Sequence, residues 1–415
     1  MDAPLELPYL TADVAPIHGV YKTRPEDFVV DELPAYEPCG EGTHVYARIE
    51  KRGITTTEAA RRFARVLGVG PRDVGYAGLK DAQGVTRQTL SVEHVDPERV
   101  QAIRDDALAV LSVARHKNKL KLGHLHGNRF RLRLRGVERA RFGDVECVLA
   151  TLARRGVPNY FGEQRFGARG DGWEIGKALL GGDADRAVAL IAGDPRPVDR
   201  GAVLKARELF ARGEYEASAR AWPGSFRDPI RLANAMARKK GDARRALFAV
   251  DRRMQQFFVS AWQSWLFNAL LAKRLATFDQ VLAGDLAWKY PGGAVFRVED
   301  VAAEAPRAER FEISPTGPLY GPRMSEPSGE PAAWEAAVLA EAGVERASFD
   351  QRGPLQPAGG RRPLRFRITE LATQPGRDDA GDFFELAFAL ESGAYATSVL
   401  RELLKGEARR GGDER

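Results

Sequence analysis

The sequence predicts an α/β (α+β) chain of two domains. Its 415 residues exceed the size at which a single hydrophobic core keeps growing. Stretches of period two rich in β-branched residues recur between Phe28 and Arg135 and return after Leu364, whereas residues 170–345 carry mostly helical periodicity.

An apolar share of 44% is enough to fill both cores. No run approaches the ~18 apolar residues of a membrane span. The first residues are acidic and broken by Pro4, Pro8 and Pro16, unlike a secretory leader. A soluble, cytoplasmic protein with no membrane partner is expected. Cys39 and Cys147 have neither knuckle nor redox-pair spacing and cannot form a disulfide framework. His124 and His126 alternate on one strand edge, but no carboxylate or thiol stands at ligand spacing, so no metal is expected.

Taken in order, residues 1–20 read as an irregular lead-in, and Phe28 to Glu32 alternates as a strand after the break at Pro25. His44 to Glu50 is a second strand, with Val45, Ala47 and Ile49 inward. Thr55 and Glu58 form a capping box for a helix that presents Ala59, Ala60, Phe63, Val66 and Leu67 and stops at Gly68. Val85 to Val92 reads as strand, and Pro97 to Leu111 as a helix leading back into strand. Residues 138–155 form an amphipathic helix closed by Gly156. Short helices follow at 183–193, 203–221 and 230–240, then a long one from Ala246 to Leu275 whose Phe258, Trp262, Trp265, Leu266 and Leu270 form a core stripe. Residues 288–331 read as strand pieces, Ala332 to Ala342 as helix, and Leu364 to Ile368 and Phe383 to Leu390 as strands.

Two stretches carry chemistry. In Ala77-Gly78-Leu79-Lys80-Asp81-Ala82-Gln83-Gly84 the glycines permit a tight bend, and one carboxylate stands at the edge of the strand that follows. Lys80 and Arg87 nearby favour its charged form, which suits a nucleophile or base rather than a proton donor. The bland reading is an Asp that caps a turn. Between Arg115 and Arg135 basic residues alternate with leucines and no Asp or Glu intervenes. On two adjacent strands this places Leu120, Leu122, Leu132 and Leu134 on one face and the cations on the other. Like charges so crowded favour phosphates as their partners over a merely solvated face.

Gly170-Asp171-Gly172-Trp173-Glu174-Ile175-Gly176-Lys177 is not a phosphate loop, because the glycine spacing is wrong and Ala178 stands where Ser or Thr is needed. No Gly-x-Ser-x-Gly elbow occurs either.

The Ala77-Gly78-x-Lys80-Asp81 loop resembles the signature of the TruD family of transfer-RNA pseudouridine synthases. Four further motifs resemble that family in the same order: Lys22-x-x-Pro25-Glu26-Asp27-Phe28, Gly127-Asn128-x-Phe130, the run Val157 to Gly167 containing Phe161 and Phe166, and Gly393-x-Tyr395-Ala396-Thr397-Ser398. The resemblance implies a mixed-sheet catalytic domain from residues 1–158 and 363–404, interrupted at 159–362 by a mostly helical TRUD domain, with RNA taken up between them and a disordered tail at 405–415. It implies Asp81 as the catalytic residue, and Lys22 as the group that holds it ionised. Phe28, Asn128, Phe130 and Phe388 would meet the substrate base, and Phe161 and Phe166 would line the cleft. Lys117, Lys119, Lys121, Arg129 and Arg131 would contact the RNA backbone.

The reaction implied is isomerisation of a uridine, uridine 13 in the family, to pseudouridine within transfer RNA, with no cofactor and no nucleotide. Either attack on C1′ or removal of the C2′ proton suits a single carboxylate. A non-catalytic RNA-binding protein or chaperone would use the same basic surface without Asp81. A glycoside hydrolase would need a second carboxylate about 5 to 10 Å away. No heptad pattern demands a dimer, so a monomer is favoured.

Overall fold

The computed structural model describes residues 5–350 and 352–406 and the backbone of 409–410. Two compact units are present: one comprises Tyr9–Val157 and the residues from Phe366 on, the other Met1–Pro8 and Pro158–Arg365.

The first unit is built on a mixed sheet. Its strands are β1 (Val20–Tyr21), β2 (Phe28–Pro34), β3 (His44–Arg52), β4 (Gly75–Tyr76), β5 (Val85–Glu93), β6 (Arg104–Asp105), β7 (Leu108–His116) and β8 (Leu125–Arg135), joined by the hairpin Ile368–Asp378 and Gly381–Glu391. The order from the hairpin edge is Ile368–Asp378, Gly381–Glu391, β8, β2, β5, β3, β7, β6. β2 and β5 run parallel, and the other neighbours along that path are antiparallel.

Helix α1 (Thr56–Leu67) begins where Thr55 accepts from the Glu58 amide and ends at Gly68 in the left-handed region, but the Glu58 carboxylate accepts from Arg62, so only the Thr55 half of the expected capping box forms. It covers Val45, Ala47, Ile49, Leu90 and Val92. At the other end of the sheet, Phe28, Val30, Phe130, Leu132, Phe384, Leu386 and Phe388 pack with Val145, Val148, Leu149 and Leu152 from the helix Phe142–Arg155, and with Val399, Leu400 and Leu403 from the helix Ala396–Leu404.

Several expected elements fall differently. The helix expected over Pro97 to Leu111 is confined to Pro97–Gln101. Asp105 then accepts from the Ala107 amide to turn the chain, and Leu108 enters β7 beside β3. The basic stretch does not form two adjacent strands, because β7 ends at His116 and residues 117–124 leave the sheet before β8. Leu120 is buried against Tyr46 and Ala77, Leu122 is exposed, and Leu132 and Leu134 belong to a different core. The strand expected over Leu364 to Ile368 is confined to Arg365–Phe366, and a long strand, Ile368–Asp378, follows where none was expected; its Pro375 is tolerated on an edge strand, where a missing amide costs no ladder bond.

The second unit is mostly helical. The long helix runs Arg252–Lys273 and starts later than expected, because Asp251 caps it. Its Trp262 and Trp265 stack with Trp173. The segment expected as one helix over 203–221 is two, Gly201–Ala211 and Tyr215–Ala221, divided by Gly213 at φ +79°. Four antiparallel strands, Val295–Arg297, Leu286–Lys289, Ile313–Leu319 and Gly360–Pro363, form a small sheet. A helix at Val301–Glu309 stands where only strand pieces were expected, started by Asp300 accepting from Ala303. Of the tail expected as disordered, 407–408 and 411–415 lie outside the described residues, and Arg409–Arg410 runs parallel to β1.

Candidate active site

The loop that carries Asp81 is fastened on every side. Gly84 lets it approach β2 closely: a Cβ there would stand 2.4 Å from the Phe28 carbonyl oxygen. The Lys80 amide donates to Thr56 Oγ1 at 2.8 Å, which ties the loop to the first turn of α1. The Lys80 ammonium reaches Glu32 Oε2 on β2 at 2.8 Å, with both groups buried. Lys51 Nζ donates to the Asp81 main-chain carbonyl at 2.8 Å and to that of Ile54 at 2.6 Å. The Gln83 amide donates to Asp81 Oδ1 at 3.1 Å. The carboxylate is thus oriented by main chain on one oxygen and free to meet a partner on the other.

That partner is Lys22, whose ammonium donates to Asp81 Oδ2. Lys22 follows β1 with φ +59°, a left-handed conformation uncommon outside glycine. Its side chain is 7% exposed, whereas that of Asp81 is 47% exposed. Burial works to raise the Asp81 carboxyl, but the Lys22 hydrogen bond and charge and the Gln83 amide outweigh it, so the group is held below the usual carboxylate value. At neutral pH this site presents a carboxylate on an open side.

Phe28 lies beneath the same lysine, with Lys22 Nζ 4.1 Å from its ring centroid. Asp27, just before it, is fully buried and takes both Arg135 Nε and Arg135 Nη2, which fixes where β2 begins. Phe130, on β8, meets Phe28 edge-on at 6.3 Å and Phe388 at 5.5 Å. Phe28 and Phe130 are 5% and 8% exposed, and Phe388 is fully enclosed. Asn128 lies opposite Glu32 on β2 and Leu390 on the hairpin strand. Its Oδ1 is buried and has no hydrogen-bond partner among the described residues, an arrangement that invites a donor from outside. Contacts therefore run from Asp81 through Lys22 to Phe28, Phe130 and Phe388, and Asn128 lies further along the same strands, opposite Glu32 and four residues along β2 from Phe28.

The cations of the basic stretch differ among themselves. Lys117 pairs with Glu41 at 2.5 Å, and Lys119 donates to the Arg72 carbonyl at 2.7 Å. Arg129 pairs with Glu370 at 2.6 Å, both half exposed, while Lys121 and Arg131 are exposed. Arg133 and Arg135 are taken up by Glu385, Asp378 and Asp27, so acids distant in sequence offset a charge run that contains none itself. Phe161 and Phe166 lie in the second unit, where Phe161 meets Phe267 and the Arg362 guanidinium and Phe166 packs with the tryptophan cluster.

Lys51 touches the Asp81 loop although the motifs do not single it out. It has no exposed surface, among the described residues it meets two carbonyls and no carboxylate, and burial pulls its ammonium down to about 8. Its signal in the sequence is parity, since it continues the inward row of Val45, Ala47 and Ile49.

Comparison with known proteins agrees with this architecture. The family described as tRNA pseudouridine synthase D (TruD) matches residues 4–403. A tRNA pseudouridine synthase D of Geobacter metallireducens is 51% identical over 398 residues, covering 96% of this chain and 98% of the relative. That of Anaeromyxobacter dehalogenans strain 2CP-C is 41% identical, covering 97% of this chain and 98% of the relative. A crystal structure described as tRNA pseudouridine synthase D (TruD) from Methanosarcina mazei superposes with a TM-score of 0.86 at 26% identity, over 99% of each chain.

Proposed function

The chain belongs to the TruD family, and on that premise we propose that it isomerises one uridine of a transfer RNA, uridine 13 by family analogy, to pseudouridine, with Asp81 as its single catalytic carboxylate. The observation that carries this reading is the ion pair of a half-exposed Asp81 with an almost enclosed Lys22 lying over Phe28.

In the reaction the C1′–N1 bond breaks, the detached uracil turns, and C5 bonds to C1′. C5 then loses its proton and N1 gains one, so nothing enters or leaves overall. An ionised carboxylate serves either route, attack on C1′ or removal of the C2′ proton. The base must leave its stack to reach Asp81. Phe28 and Phe130 offer ring edges to it, and Asn128 Oδ1 accepts from the uracil N3–H. Phe388, enclosed behind Phe130, holds that ring in place. Lys121 and Arg131, with Lys117, Lys119 and Arg129, attract the RNA backbone, since exposed ion pairs such as Arg129–Glu370 are weak enough to exchange for phosphate.

The test is to incubate the purified protein with unmodified transfer RNA and map pseudouridine by carbodiimide-dependent primer extension. One new pseudouridine, with no free uracil released, is expected. Binding without modification would identify an RNA-binding protein instead, and release of uracil a hydrolase.

A further inference from the structure

The loop that presents Asp81 rests on a charge with no carboxylate partner among the described residues. Lys51 ends the inward row of β3, fully enclosed beside the start of α1. Among the described residues its ammonium meets main-chain oxygens only, those of Ile54 and of Asp81 itself. Lysine is almost never fully buried unless it is paired, and a methionine at the end of this apolar row would avoid desolvating a charge. The position therefore carries a charge for which packing gives no reason, in contact with the main chain of the one residue that the reaction needs.

We propose that Lys51 is a positioning residue for catalysis: its enclosed ammonium grips the Asp81 carbonyl from behind and so fixes the direction in which the carboxylate faces the ribose. The inference rests on Asp81 being the catalytic residue. The division of labour is complementary. Lys22 holds one carboxylate oxygen from the open side, the Gln83 amide holds the other, and Lys51 holds the main chain between them. The Asp81 charge favours the protonated form of Lys51 and Lys80 opposes it, while burial is the dominant influence and brings the ammonium to about 8. The grip therefore weakens as pH rises through that value, because a neutral amine binds a carbonyl less strongly than an ammonium does.

The experiment compares kcat and KM for transfer RNA between pH 6.5 and 9.5 in the native protein and in Lys51→Met. Native kcat should decline through pH 8 to 9. Lys51→Met should have a kcat lower at pH 7 by on the order of 10²-fold, because small misplacements of a reacting group cost about that much. It should also lack the decline, with KM unchanged. A role in folding alone would lower the melting temperature and leave the native pH profile flat. Native kcat that stays level to pH 9.5, a Lys51→Met variant with native kcat, or one that retains the same decline overturns the proposal, and the first of these needs no variant. Asp81→Asn run in parallel separates the two readings: if it is active, the assignment of Asp81 fails, and if it is inactive while Lys51→Met behaves as the native protein does, only Lys51 is misassigned.

Discussion

Lys22 and Asp81 share one ion pair and little else: the ammonium side is 7% exposed and the carboxylate side 47% exposed. An enclosed cation facing an accessible anion is the arrangement expected when the anion is the working group and the cation keeps it charged. The pair also explains the left-handed backbone at Lys22, which directs the side chain over Phe28 towards the loop.

The pH behaviour of this pair follows. Burial alone would raise the Asp81 carboxyl, and Lys22 and the Gln83 amide reverse that, so the folded value lies below the ordinary one. The contribution of the pair to stability is therefore complete above the unfolded carboxyl value near 4 and is lost as pH falls through the folded value. In Lys22→Met the desolvation remains and the lysine does not. The acid limb of kcat/KM should move to higher pH, and activity at pH 7 should fall by on the order of 10²-fold. An acid limb unmoved from that of the native enzyme would remove Lys22 from the account.

Asn128 gives a prediction in which stability and activity separate. Its Oδ1 is buried without a partner among the described residues, a situation that costs about 1 to 3 kcal/mol. Asn128→Leu should melt at or above the native temperature and lose about 10- to 100-fold in kcat/KM, the equivalent of one hydrogen bond to the base. A fall in melting temperature with kcat/KM intact would make Asn128 structural.

Asp27 gives the converse. It is fully buried and bound to Arg135 through two nitrogens, so Asp27→Ala leaves a guanidinium only partly compensated by Asp378. Urea denaturation should register a loss of about 3 kcal/mol, the lower end for breaking a buried pair. A loss below about 1 kcal/mol would place this contact with weak surface pairs.

How far the sequence alone leads depends on whether an interaction is local. The Thr55 cap, the Gly68 stop and the bend at Gly84 are written in neighbouring residues, and each is legible. The strand around Pro375 was hidden because edge position, which excuses a proline, is a property of the sheet. The basic stretch misled for the same reason: Arg133 and Arg135 find Glu385 and Asp378 more than 240 residues away. Lys51 was half legible, since its parity marks it as inward, but the carbonyls it holds come from a turn and from the Asp81 loop. The motifs single out Asp81, Lys22, Phe28, Asn128, Phe130 and Phe388 as candidates, and the coordinates add that the Phe388 ring is enclosed and that Asn128 Oδ1 is buried without a partner among the described residues.

The most direct measurement is the rate of pseudouridine formation by Asp81→Asn on transfer RNA that it still binds. The substitution keeps the size of the side chain and one accepting oxygen for the Gln83 amide, while removing the charge and the oxygen that accepts from Lys22. No pseudouridine above background, with the dissociation constant for transfer RNA within about threefold of native, an energy change well under 1 kcal/mol, is the predicted result. Pseudouridine formed at a rate comparable to that of the native protein would contradict the account, because the carboxylate would then have no part in breaking the glycosidic bond.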